Sequence, residues 1–270
     1  MCYEGAETLT IGSLRLFIFG GNMELKQFFE AHPEAAIAFS GGVDSAYLLY
    51  EAMQFGKRVK AYYVKTAFQP QFELEDAFRL AEELGTDMQV LEVDILCDAA
   101  VTANPANRCY HCKKILFSRI LKAAKADGFS VVLDGTNFSD EASDRPGMRA
   151  ISELSVRSPL RECGLTKSKI RQLSKDTGLF THDKPAYACL ATRIPTGEEI
   201  TAAKLQRTER AEAYLSQLGF RDFRVRCQGD TAKIQIRETN LSLLIRHREV
   251  ILKELKQYYT SIVLDLEVRK

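Results

Sequence analysis

The sequence predicts an α/β fold: a parallel sheet with helices on both faces, followed by a small C-terminal α/β unit. Three observations predict it. Apolar strand-like runs alternate with helix-like segments through the first two thirds of the chain, the pattern of a parallel sheet covered on both sides. A glycine-rich turn, Ser40-Gly41-Gly42-Val43-Asp44-Ser45, lies between the first strand and the next helix. From Thr201 the order changes to helix, strand, strand, helix, strand.

Taken in order, residues 24–31 read as a helix, Ala35 to Phe39 as a strand and Ser45 to Gln54 as a helix. Arg58 to Val64 is the next strand. Glu73 to Leu84 is an amphipathic helix closed by Gly85, and Met88 to Val93 a third strand. Lys113 to Ala126 is helical up to Gly128, and Ser130 to Asp134 is the fourth strand. Thr166 to Thr177 forms a short helix capped by Thr166 or Ser168, and 178–199 is irregular around Pro185 and Pro195. The C-terminal unit reads as a helix over Thr201 to Leu218, strands Phe223 to Arg226 and Ala232 to Arg237, a helix Leu241 to Tyr258 and a last strand Ser261 to Glu267. This gives an extension over 1–22, a nucleotide-type domain over 23–195 and a small domain over 196–270.

Composition excludes several classes. Lys plus Arg total 37 against 36 Asp plus Glu, a net charge of +1, so no broad positive field grips nucleic acid. No apolar run approaches the roughly 18 residues a membrane helix needs. The first 22 residues lack a basic start, and Arg15 interrupts their apolar part, so they do not read as a secretion signal. Seven cysteines, an odd number, point to free thiols and a cytoplasmic setting. Gly20-Gly21-Asn22 before Met23 is what a translated ribosome-binding site looks like, so Met23 is a candidate native start, beside the plain reading of an N-terminal strand.

The turn at residues 40–45 has the chemistry of an anion site. Gly41 and Gly42 bring backbone N–H groups close to a phosphate, Ser40 and Ser45 add hydroxyls, and the following helix presents its positive end. Asp44 would repel a phosphate unless it held Mg²⁺. The spacing fits neither the Walker loop nor the dinucleotide fingerprint. SGGVDS after a first strand resembles the signature of the ATP pyrophosphatase (PP-loop) superfamily. That resemblance implies cleavage of ATP between its α and β phosphates, giving an adenylated substrate and pyrophosphate.

Further motifs narrow the resemblance: Asn107-Arg108-Cys109-Tyr110-His111-Cys112-Lys113-Lys114, with a CxxC just before a helix; Asp134-Gly135-Thr136-Asn137; Ser158-Pro159-Leu160; Ala188-Cys189-Leu190-Ala191-Thr192-Arg193; and Arg224-Val225-Arg226. Together they resemble the LarE family, ATP-dependent sulfur transferases of nickel-pincer nucleotide biosynthesis, from about residue 24 to the C-terminus. The resemblance implies ATP and Mg²⁺ as cofactors, with Ser40, Gly41, Gly42, Asp44, Ser45, Gly135 and Thr136 at the ATP. It implies a pyridinium dicarboxylate mononucleotide as substrate, whose carboxylate is adenylated and becomes a thiocarboxylate. Cys109, Cys112 and Cys189 are the catalytic candidates.

Two sulfur chemistries stay open. Cys189 can give up its own sulfur and become dehydroalanine. Alternatively, Cys109, Cys112 and Cys189 hold a [4Fe-4S] cluster whose fourth iron carries an extra sulfide supplied as sulfide or by another donor. The three-cysteine pattern favours the cluster. A zinc site is a poorer match because His111 lies inside the CxxC. Arg224 and Arg226, two apart on a strand, and Arg145, Arg149 and Arg193 are candidates for substrate anions. Gln235 stands where many relatives carry Glu, and a neutral amide cannot act as an acid or base. Cys2, Cys97, Cys163, Cys227, His32, His182 and His247 read as ordinary core or surface residues. No nucleic acid or membrane partner is expected, and a homo-oligomer is. Competing activities are tRNA thiolation and amide formation like that of NAD synthetase; the latter leaves the three cysteines without work. A non-enzymatic ATP sensor is the remaining alternative.

Overall fold

The computed structural model describes residues 24–140 and 146–267; Met23 as a start and Arg145 as an anion site lie outside them. The N-terminal unit runs α1 (Leu25–Ala31), β1 (Glu34–Ala38), α2 (Val43–Phe55), β2 (Arg58–Lys65), α3 (Gln71–Glu83), β3 (Met88–Glu92), α4 (Ala99–Thr102), α5 (Arg108–Ala126) and β4 (Val132–Asp134). Then come α6 (Pro146–Glu153), α7 (Pro159–Glu162) and α8 (Lys167–Asp176). The four strands are parallel in the order β3-β2-β1-β4.

Period-two alternation explains how these strands support helices on both faces. Ala35, Ile37, Ala61 and Tyr63 face α1, α2, α7 and α8 in one apolar cluster. Ala36, Tyr62, Val64 and Val132 face α5 and α6 in another. Both faces are apolar because parallel strands are buried on both sides. The small alanines of β1 let α2 lie close to the sheet centre, where Leu48, Leu49 and Ala52 are fully buried.

The C-terminal unit is α9 (Ala202–Gln217), β5 (Arg224–Gln228), β6 (Thr231–Gln235), α10 (Leu241–Arg246), α11 (Arg248–Leu255) and β7 (Ser261–Leu264). Its sheet has the order β5-β6-β7, antiparallel then parallel. The single helix expected over 241–258 is two, broken at His247, and the last strand ends at Leu264 rather than Glu267. Apolar residues on both sides of position 195 share one cluster: Phe68, Ile95, Val101, Leu190, Ala191 and Ile194 pack with Leu205, Leu215, Val225 and Ile234. No helix among the described residues is long and apolar enough to cross a membrane.

Candidate active site

The chain leaves β1 toward β2 on one side, while β4 lies on the other, so a crevice opens beyond their carboxyl ends. A cavity of about 530 Å³ fills it, lined by Ser40, Gly42, Asp44, Ser45, Cys109, Lys113, Gly135, Thr136 and Met148, among others. Gly41 has φ +71°, and a Cβ there would come within 3.3 Å of the Glu73 carbonyl oxygen and the Ala77 Cβ, so only glycine fits without strain. Ser40 N–H donates to Ser45 Oγ (3.3 Å), Ser45 Oγ donates to the Gly42 carbonyl (3.1 Å), and the two serine hydroxyls are 3.0 Å apart. These bonds hold the turn with the N-terminus of α2 aimed at the cavity, where an anion is favoured.

The β4 end is fitted against this turn. A Cβ on Gly135 would lie 2.8 Å from Ser45 N, so glycine is what lets the two backbones meet. Asp134 is buried and fully used: it accepts from the Thr136 hydroxyl (2.6 Å), the Thr136 N–H (3.3 Å) and the Ser158 hydroxyl (2.6 Å). It holds the strand end in shape.

Asp44 sits in the first turn of α2. One carboxylate oxygen pairs with Lys167; the other, Oδ1, is buried with no hydrogen-bond partner. Burial raises its pKa, Lys167 opposes the rise, and nearby Asp140 adds to it. A buried carboxylate oxygen without a partner, facing a phosphate-type turn, fits a Mg²⁺ ligand. A second chamber of about 250 Å³ also borders the turn and is lined by Asp44, Glu73, Lys167, Arg171 and Lys184, among others. Lys184 donates to the Gly41 carbonyl (3.2 Å) and pairs with Asp76 (2.7 Å). Burial pushes the Glu73 carboxyl up to about 7 against the pull of Lys184. The sequence reading missed Lys167, Arg171, Lys184 and Glu73. The only signal was the i,i+4 spacing of Lys167 and Arg171, which places both on one helix face but not against this turn.

Of the three candidate cysteines, Cys109 lines the first cavity. Cys109 and Cys112 belong to the first turns of α5, not to a loop before it, and their i,i+3 spacing puts them on one face. Cys109 is exposed and lines the same cavity as the glycine turn. Cys189 precedes a 3-10 turn over Leu190–Arg193. The three thiols lie within electrostatic reach of one another: burial first, then Cys189 and Cys109, push the Cys112 thiol up to about 12. Burial also raises Cys189, while Arg108 pulls it down. Among the described residues no group of three or more His, Cys, Asp or Glu side chains closes around a single metal ion.

The arginines divide. The structure places Arg193, an anion candidate in the sequence, in a buried ion pair. Its side chain has no exposed surface, and its guanidinium makes a two-pronged pair with Glu212 (2.7 and 3.0 Å) and bonds the Ala188 carbonyl (2.9 Å). Glu212 also accepts from the Val225 N–H and the Tyr187 hydroxyl, so this buried pair clamps the Cys189 segment onto α9 and β5. Arg226 donates to the Thr192 carbonyl and to Gln235 Oε1, and Gln235 in turn donates to Asp265. Gln235 is thus a neutral link in this chain of bonds. Arg224 is buried over the Tyr187 ring and donates to the Ala186 carbonyl (2.7 Å). Arg149 stacks on Tyr110, next to Cys109, 4.0 Å from its ring centre, and pairs with Glu153.

Residues 34–110, from β1 into the first turn of α5, match the family model described as queuosine biosynthesis protein QueC. Among full-length relatives, an uncharacterized protein of Synechocystis is 39% identical over 90% of this chain and 92% of its own. An uncharacterized protein of Methanocaldococcus jannaschii is 30% identical over 90% of this chain and 93% of its own. The pyridinium-3,5-bisthiocarboxylic acid mononucleotide synthase of Lactiplantibacillus plantarum is 33% identical over 85% of this chain and 84% of its own. With the PP-loop turn at the β1/β4 crevice and this identity along both units, the chain belongs to the LarE-type family of that synthase.

Proposed function

We propose that the protein uses ATP to adenylate a carboxylate of a pyridinium-3,5-biscarboxylic acid mononucleotide and replaces it with a thiocarboxylate, a step of nickel-pincer nucleotide biosynthesis. The observation that carries this reading is that Cys109 lines the very cavity that the glycine turn and Gly135 build. A phosphate site and a thiol share one chamber.

The reaction has two halves. In the first, a substrate carboxylate oxygen attacks the α-phosphorus of ATP and pyrophosphate leaves. Gly41, Gly42, Ser40 and Ser45 hold the phosphates through backbone and hydroxyl donors, and Asp44 would hold Mg²⁺. Lys167, Arg171 and Lys184, around the second chamber, offset the negative charge that grows on the departing pyrophosphate. In the second half, a sulfur nucleophile attacks the acyl carbon and AMP leaves. A carboxylate oxygen is a poor leaving group, and AMP is a good one.

What supports a cluster is the chemistry of the set: three thiols, near enough that Cys189 and Cys109 both act on Cys112. Cys109, Cys112 and Cys189 would hold a [4Fe-4S] cluster, which when bound supplies one iron without a protein thiolate, a seat for an added sulfide. Arg224, Arg226 and Arg149 are the substrate-side cations of this reading. A two-domain division near residue 195, a homo-oligomeric state and a cytoplasmic setting complete the proposal. Anaerobic protein given ATP, Mg²⁺, sulfide and the dicarboxylate mononucleotide should release pyrophosphate only with the mononucleotide present and yield a thiocarboxylate by mass spectrometry. Pyrophosphate release that ignores the mononucleotide, without thiocarboxylate, would remove the reading.

A further inference from the structure

Two buried polar side chains tie the start of α5 to the Cys189 turn, and neither half-reaction above uses them. Asn104 is 1% exposed and holds the left-handed backbone conformation, φ 52°. Its amide nitrogen donates to the carbonyls of Pro195 (2.7 Å), Glu198 (3.2 Å) and Ile194 (3.4 Å), and its own carbonyl accepts from Gly197 N–H (2.8 Å). Its side-chain oxygen accepts from Arg108 Nη1 (2.7 Å). The same Arg108 nitrogen donates to the Ala191 carbonyl (3.0 Å), and Nη2 reaches Cys109 Sγ at 3.8 Å.

One guanidinium therefore bridges the first turn of α5 and the backbone two residues beyond Cys189. Other contacts fasten that turn elsewhere. Leu190 N–H donates to the Phe68 carbonyl, Arg193 pairs with Glu212 on α9, and Arg226 on β5 donates to the Thr192 carbonyl. None of these reaches the CxxC helix. Apolar packing brings α5 and the turn into one cluster, with Cys112, Ile115 and Leu116 beside Leu190 and Ala191, and among the polar contacts named here the Arg108 bridge is the one that joins the CxxC helix to the turn. A planar fork holds Asn104, Ala191 and Cys109 in one fixed arrangement; a lysine ammonium has three donors but, on a shorter and flexible stem, fixes that arrangement far less.

We propose that Arg108, seated by Asn104, is a positioning residue that sets the placement of Cys189 relative to Cys109 and Cys112. As a device for sulfur transfer it rests on the reading above, but the placement is measurable without any turnover. Dibromobimane bridges neighbouring thiols, and peptide mass spectrometry identifies which pair is joined. The Cys109–Cys112 bridge, within one helix, is the internal reference. In the intact chain bridges that include Cys189 should form alongside it. In Arg108→Met their share relative to the reference should fall about tenfold, since small losses of alignment cost proximity steeply. Arg108→Lys, which keeps the charge, should also lose several-fold and carries the test if the Met variant does not fold. Arg108→Met and Arg108→Lys bridging Cys189 as well as the parent would overturn the proposal. A chain that makes no thiocarboxylate yet shows this loss would refute the activity and leave the positioning role standing.

Discussion

The phosphate side and the sulfur side of the site are built from different materials. The phosphate side is backbone: the turn 40–45 and Gly135, held by short-range hydrogen bonds and by a contact only glycine allows. The sulfur side is side chains: three thiols on α5 and on a turn some eighty positions later, kept in place by Arg108, Asn104 and the Arg193–Glu212 pair. Backbone sites are written locally and tolerate few changes at a few positions. Side-chain sites depend on buried polar ties, and a change far from the thiols can disturb them. The difference teaches that the two half-reactions should be separable by mutation.

The sharpest break is at the thiols. Cys189→Ala should abolish thiocarboxylate formation while substrate-dependent pyrophosphate release continues, because Cys189 does not line the phosphate cavity. Product analysis by mass spectrometry, beside a pyrophosphate assay, checks both arms. On the other side, Asp44→Asn should slow pyrophosphate release about a hundredfold or more, the usual cost of removing one preorganised charge at a reacting phosphate. Iron content, if present in the parent, should not change with it.

A backbone change probes the phosphate side more gently. Gly135→Ala drives a methyl group against Ser45 N, a backbone atom that cannot swing away, and should cost about 3 kcal/mol of stability. Chemical denaturation reads the loss, and thiol bridging among Cys109, Cys112 and Cys189 should persist at temperatures where the variant is folded.

The smallest effect is a pH dependence at Glu73. Its folded pKa of about 7 lies above the ordinary glutamate value of 4.5, so the folded chain holds this proton longer than the unfolded one. Stability from this group is full below about pH 4.5 and is lost as pH rises through about 7. Glu73→Gln should therefore stabilise the protein on the order of 1–2 kcal/mol at about pH 8, allowing for partial exposure, and hardly at all near pH 4.5. Equal gains at both pH values would remove the burial argument.

Much of the phosphate side was legible beforehand because its signals are local. The strands announce themselves by apolar runs, and Ser40–Ser45 carries its glycines, hydroxyls and helix start within six residues. The sulfur side was legible only in its residue types. The CxxC reads as a loop motif, yet Pro105 and Asn107 upstream are helix-start signals, and α5 begins at Arg108. Arg193 reads as an anion site because an isolated arginine does not reveal its partner; Glu212, nineteen residues on, is found only by folding. Lys167, Arg171 and Lys184 reach the turn from across the fold for the same reason. The break at His247 has no residue signal that we can name.

An adenylating side and a sulfur side meet at the cavity through Cys109 and work independently. The most direct measurement is product analysis of a chain with Cys109, Cys112 and Cys189 all changed to alanine, given ATP, Mg²⁺, sulfide and the dicarboxylate mononucleotide. Pyrophosphate should be released in step with the mononucleotide adenylate or its hydrolysis product AMP, and no thiocarboxylate should form. Loss of pyrophosphate release from the folded variant, or thiocarboxylate made without the three thiols, would contradict this.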